Sequence, residues 1–99
     1  MMNFTDKHRA YVEELLCDCA AGEFAGENNC DTRLYEDLIS TFPGCDSHPD
    51  GKIRLDFYTK SKQLAAKNPL KAYLPLSRDP IYQRKKNKML EKMFKELKF

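Results

Sequence analysis

Three groups of residues in this 99-residue chain have the types and spacing to do chemistry. The first is a basic run near the end, "IYQRKKNKMLEKMFKELKF", residues 81–99, with seven Lys and Arg against two Glu. Arg84, Lys85, Lys86, Lys88 and Lys92 supply point charges of the kind phosphates need. Tyr82 beside them can stack or hydrogen-bond. The second is a set of soft ligands, Cys17, Cys19, Cys30, Cys45 and His48. Cys45-x-x-His48 has a spacing that suits zinc. Cys17 and Cys19 fall on a helical stretch, where residues two apart point about 200° apart and do not readily grip one ion. No paired C-x-x-C accompanies them, so reduced, buried thiols are expected and no metal or other cofactor is assigned. The third is the turn Cys45, Asp46, His48, Asp50, in which a Cys/His pair is conceivable. An activated thiolate also needs a third, orienting group, and the sequence names none. "PDGK", residues 49–52, lacks the glycine framework of a phosphate loop. Enzymatic activity is not expected.

A fourth group differs in kind. Residues 1–50 carry three basic and eleven acidic side chains, a net charge of −8, whereas residues 51–99 carry fourteen basic and four acidic, a net +10. The overall +2 hides this split. If the acidic side chains cluster in space, they can occupy a basic groove on a partner protein. Glu13, Glu14, Asp18, Glu36 and Asp37 are the candidates for that face. Tyr82, Arg84, Lys85, Lys86, Lys88 and Lys92 are the candidates for the basic one. The plainer reading of both groups is a solvated surface.

These residues need elements to position them. Val and Ile together number four, too few for a sheet protein of this size. Leu, Lys, Glu, Met and Ala dominate and favour helix. The expected fold is all-α: a single domain over residues 1–99, a small helical bundle of three main helices and one or two short ones. Thr5 caps a first helix over about Asp6 to Ala21, ended by Gly22. "GEFAGENN", residues 22–29, then reads as a loop with Phe24 turned inward. Asn29 or Asp31 starts a second helix to about Phe42, its apolar stripe Leu34, Tyr35, Leu38, Ile39, Phe42 facing the core. Pro43-Gly44 stops it.

Residues 53–57 alternate Ile53, Leu55, Phe57, which is strand periodicity. A lone strand has no partner here, so a helix from Ile53 or Arg54 to Lys67 is favoured over strand for 52–58. A short helical turn follows from Asn68-Pro69 to Leu74. Ser77 or Asp79 caps the last helix, with Pro80 in its first turn. The expected core is Leu15, Leu16, Leu34, Leu38, Ile39, Phe42, Phe57, Leu64, Leu90, Phe94 and Leu97.

No apolar run approaches the length that spans a bilayer, and the N-terminus has no secretory h-region, so an intracellular, cytoplasmic protein is expected, with no membrane partner. The function expected is non-enzymatic binding to a protein partner through a charged face, as a small regulator or inhibitor would do, with a nucleic-acid-processing protein as one candidate partner. The alternatives are direct RNA or DNA binding through residues 81–99 and a small zinc-stabilised structural module.

Overall fold

A computed structural model describes residues 6–68 and 75–97. It is all-α. Three long helices, α1 (Asp6–Glu27), α3 (Gly51–Lys67) and α4 (Pro80–Glu96), are joined by the short α2 (Arg33–Ile39) and a 3-10 turn at Leu76–Arg78. No strand forms among the described residues. The helical turn expected between Asn68 and Leu74 lies outside them, as does the cap Thr5.

Helix α1 does not stop at Gly22. It continues to Glu27, and the chain leaves it through Asn29 in the left-handed region (φ 52°). The reason is tertiary. A Cβ on Gly22 would overlap the Tyr58 carbonyl oxygen, and one on Gly26 would overlap that of Lys62. Both glycines therefore let α3 come closer to α1 than any side chain permits, which offsets their poor helix propensity. Phe24, expected to turn inward, is a helical residue and 64% exposed.

The two helices run in the same direction. Asp18 meets Arg54, Gly22 meets Tyr58 and Gly26 meets Lys62, a constant register along both. The chain must therefore return between them, and residues 28–50 do so, carrying α2. A polar cluster pins α2 to α3. Tyr58 Oη and Lys62 Nζ donate to Thr32 Oγ1 at 2.8 and 2.9 Å, and Thr32 Oγ1 donates to Glu36 Oε2 at 2.9 Å. The Tyr35 and Tyr58 rings lie 5.0 Å apart.

Helix α3 begins where Asp50 accepts the Lys52 amide at 2.8 Å. Residues 52–58 are thus helical, and Gly51, the first residue, fits beneath the Ile39 carbonyl. Asp79 caps α4 through the Ile81 and Tyr82 amides, with Pro80 at the first helical position. Helix α4 runs antiparallel to α1: Lys86 reaches Glu23 at 3.2 Å, while Met93 packs with Leu15.

The core has two parts. Leu15, Cys19, Phe57 and Met93 form one, flanked by Tyr11, Ile53, Met89, Leu90, Phe94 and Leu97. Ala65, Leu76 and Tyr82 form the other, beside Leu64. Of the expected core, Leu15, Ile39 and Phe57 are buried, and Leu64, Leu90, Phe94 and Leu97 are half-buried. Leu16, Leu34, Leu38 and Phe42 are exposed instead. The stripe on α2 fails as a core face because α2 is only seven residues long and the polar cluster at Thr32 sets which side meets α3.

Candidate functional site

The acidic candidates are mostly engaged within the fold. Asp18 is buried and takes a two-point grip from Arg54, Nε to Oδ2 at 3.0 Å and Nη2 to Oδ1 at 3.1 Å. Glu14 forms an ion pair with Arg54 Nη1 at 3.3 Å through one oxygen and meets His48 Nδ1 at 3.0 Å with the other. Glu36 faces Lys62 at 3.6 Å. Three of the five carboxylates are thus engaged by cations of α3 and the turn before it. Glu13 and Asp37 are exposed and have no ion pair among the described residues. They do not join the other three in one open acidic face.

The basic candidates divide differently. Tyr82 is buried, with Glu23 as the neighbouring carboxylate that most affects its hydroxyl. Burial first, then that carboxylate, push its phenol well above the usual range. Lys86 shares Glu23. Arg84, Lys85, Lys88 and Lys92 are exposed and have no ion-pair partner among the described residues. Their spacing of i, i+1, i+4, i+8 places them along one side of α4. The charge split therefore persists only in part: pairs between the two halves engage Glu14, Asp18, Glu23 and Glu36, and an outward basic ridge remains on α4.

The soft ligands do not converge. All four are free thiols, but the buried setting expected of them holds only for Cys19 in the core; Cys30 is half-buried, and Cys17 on α1 and Cys45 on its turn are exposed. No group of three or more His, Cys, Asp or Glu suited to a metal occurs among the described residues.

What charge and motif reading missed is apolar. Leu34 is 87% exposed, Leu38 59%, Phe42 42% and Tyr35 40%. All four come from α2 and the residues just after it. Single exposed leucines are ordinary, but a contiguous apolar ridge is a mark of an interaction surface. Beside it lies an open depression of about 630 Å³, lined by Asp31, Thr32, Arg33, Leu34, Tyr35 and Asp37. Asp31 lowers the effect of the one cation there by pairing with Arg33 at 2.9 Å. With Glu36 paired to Lys62, Asp37 is the carboxylate of this segment that has no ion pair among the described residues. The signal was present in the sequence as the stripe Leu34, Tyr35, Leu38, Phe42, read there as core.

Comparison of the chain with protein-family models, curated proteins and solved structures returns no match. No helix among the described residues is long and apolar enough to cross a membrane.

Proposed function

We propose that this chain is a protein-binding module that acts by docking rather than by turnover, and that its partner seats on the α2 ridge. The carrying observation is the exposure of Leu34, Tyr35, Leu38 and Phe42 on one short segment. Aromatic and leucine side chains beside a concavity supply the desolvated centre from which interfaces draw most of their energy. The surrounding charge narrows the occupant. Asp31 and Glu36 are already paired with Arg33 and Lys62, and Asp37 is exposed beside the ridge with no ion pair among the described residues, so the matching partner is a protein segment with an apolar stripe and a Lys or Arg placed to meet Asp37. A regulator or inhibitor of such a partner would work by covering that segment.

The test uses the immobilised 99-residue chain in three forms, wild type, the double variant Leu34→Asp/Leu38→Asp, and Lys85→Glu/Lys88→Glu. Proteins retained by wild type and by the α4 variant, resistant to nuclease, and lost from the α2 variant support the proposal. Retention that ignores the α2 changes overturns it. Sedimentation of the free chain adds a further outcome: a dimer that Leu38→Asp dissolves makes the occupant a second copy and overturns the separate partner.

A second reading rests on the α4 ridge. Arg84, Lys85, Lys88 and Lys92 project unpaired charge outward and suit a phosphate backbone. Binding there falls steeply with salt, and replacing Arg84 and Lys85 by Ala flattens the log–log slope by about 0.7 to 0.9 for each phosphate no longer neutralised. A chain that ignores single-stranded RNA and duplex DNA at low salt removes this reading.

A further inference from the structure

The turn at residues 45–48 carries a nucleophile and a cation, set against a carboxylate of α1, and the α2 interface uses none of the three. Cys45 N–H donates to the His48 carbonyl at 2.8 Å, and His48 N–H donates to the Cys45 carbonyl at 3.3 Å. These reciprocal bonds make an isolated antiparallel bridge of the two residues. Directly opposed residues of such a bridge project side chains to the same face, with Cβ atoms about 5 Å apart. The thiol and the imidazole therefore share one side of the turn.

The imidazole is held from another element. His48 Nδ1 lies 3.0 Å from Glu14 Oε2 on α1, thirty-four residues away in the chain. Glu14 is itself fixed, because Arg54 of α3 contacts its other oxygen at 3.3 Å. Contacts of 3.0 and 3.3 Å thus link His48, Glu14 and Arg54 in a row, and the backbone bridge ties Cys45 to its first member. The hydrogen bond to Glu14, then the neighbouring Cys45 and the Glu14 charge, raise the His48 pKa, while Arg54 lowers it. Ser47 Oγ lies 3.6 Å from Cys45 Sγ. That contact, the Ser47 amide and then His48 draw the Cys45 thiol below its ordinary pKa. The thiol is open to solvent.

We infer that Cys45 is a site of reversible covalent modification by small-molecule disulfides, with His48 and Glu14 as its positioning residues. The thiolate is the nucleophile, and a neighbouring cation at an accessible site is the setting that makes one reactive. The Cys45 proton leaves to solvent first. The Sγ anion then attacks one sulfur of the disulfide RSSR, an Sγ–S bond forms, the S–S bond breaks, and the second half departs as RS⁻. Cys45 is oxidised and the departing sulfur reduced, so the exchange balances without a further reagent. Imidazolium beside Sγ stabilises the anion before attack, and Ser47 Oγ–H is the hydrogen-bond donor at hand.

Cys17 is an exposed cysteine of the same chain and serves as an internal reference. The full chain is treated with oxidised glutathione, quenched at intervals, and the two peptides are quantified by mass spectrometry from about pH 6 to pH 9, the range in which thiols ionise. Cys45 is expected to be modified several-fold faster than Cys17 near pH 7, with the difference shrinking toward pH 9. His48→Gln, on an exposed side chain, shifts the Cys45 pH–rate profile upward and leaves Cys17 unchanged, and Glu14→Gln shifts it in the same sense. Equal rates at Cys45 and Cys17 near pH 7 overturn the inference. So does a Cys45 profile that His48→Gln leaves in place. Both readouts are independent of any partner on α2, so failure here leaves the binding proposal standing, and the reverse.

Discussion

The Arg54 guanidinium closes on the Asp18 carboxylate with two parallel bonds, 3.0 and 3.1 Å, inside the contact between α1 and α3. The Asp18 side chain is 3% exposed and that of Arg54 18%. The Phe42 ring lies over the guanidinium with its centroid 5.8 Å away. One residue from the basic half of the chain thus holds two from the acidic half, and it also anchors the segment that follows α2. Breaking such a pair from one side leaves a charge buried without compensation. Asp18→Ala is expected to cost about 3 kcal/mol, toward the lower end of the range because Arg54 retains Glu14. Asp18→Leu with Arg54→Met removes both charges and should recover a large part of that loss. Urea denaturation of wild type, Asp18→Leu, Arg54→Met and the double variant checks it as a double-mutant cycle; additive costs would mean the pair is uncoupled.

The glycines of α1 make an opposite forecast to the one helix propensity makes. On propensity, Gly22→Ala and Gly26→Ala should each stabilise an exposed helix by about 1 kcal/mol. Here the new methyl groups meet the backbone carbonyls of Tyr58 and Lys62, which do not rotate away. Each variant is expected to be less stable by about 1 to 3 kcal/mol, as overpacked interiors are. Ala21 is exposed on the same helix, and Ala21→Gly supplies the control, costing about 1 kcal/mol. A rise in the urea midpoint of Gly22→Ala would contradict the close approach of α1 and α3.

The same residues show what a sequence discloses. Asp79 and Pro80 mark the start of α4 by local chemistry alone, and the structure has them there. The helical character of residues 52–58 followed from the lack of a strand partner. Gly22 misled because a terminator and a contact glycine look alike until the facing helix is known. The stripe on α2 misled because apolar spacing tells which residues share a face, not which way the face turns. Its direction is decided by Thr32, Tyr58 and Lys62, residues up to thirty apart in the chain. Charge segregation along the chain is compatible with the two halves pairing in a compact fold, but it does not name the partners, Arg54, Lys62 and Lys86 with Glu14, Asp18, Glu36 and Glu23. Cys45-x-x-His48 was visible, but Glu14, its third member, is joined to it only by the fold.

Leu38 and Ile39 are neighbours with opposite fates, which separates binding from stability. Ile39 is 1% exposed and Leu38 59%. Ile39→Ala opens a cavity and is expected to cost about 2 to 5 kcal/mol. Leu38→Asp removes nothing from the interior and should change stability by no more than about 0.5 kcal/mol. Loss of partner capture by Leu38→Asp at unchanged melting temperature is the outcome that assigns the residue to recognition. A large drop in melting temperature for Leu38→Asp would instead give it a structural role.

The His48–Glu14 contact makes stability depend on pH in a defined direction. Glu14 favours the charged imidazole, so the folded pKa of His48 lies above its ordinary value of about 6.5. A group with a raised folded pKa contributes stability that is fully present below the unfolded value and is lost as pH rises through the folded one. The wild type should therefore melt above His48→Gln in acid, near about pH 5, and the two curves should converge above neutrality. His48 is open to solvent, so the difference is small and screened by salt. Glu14→Gln should lower the imidazole pKa seen by NMR titration, which reports the contact directly. Coincident titration curves for wild type and Glu14→Gln would mean that the imidazole does not feel Glu14, and the positioning of His48 beside Cys45 would lose its support from α1.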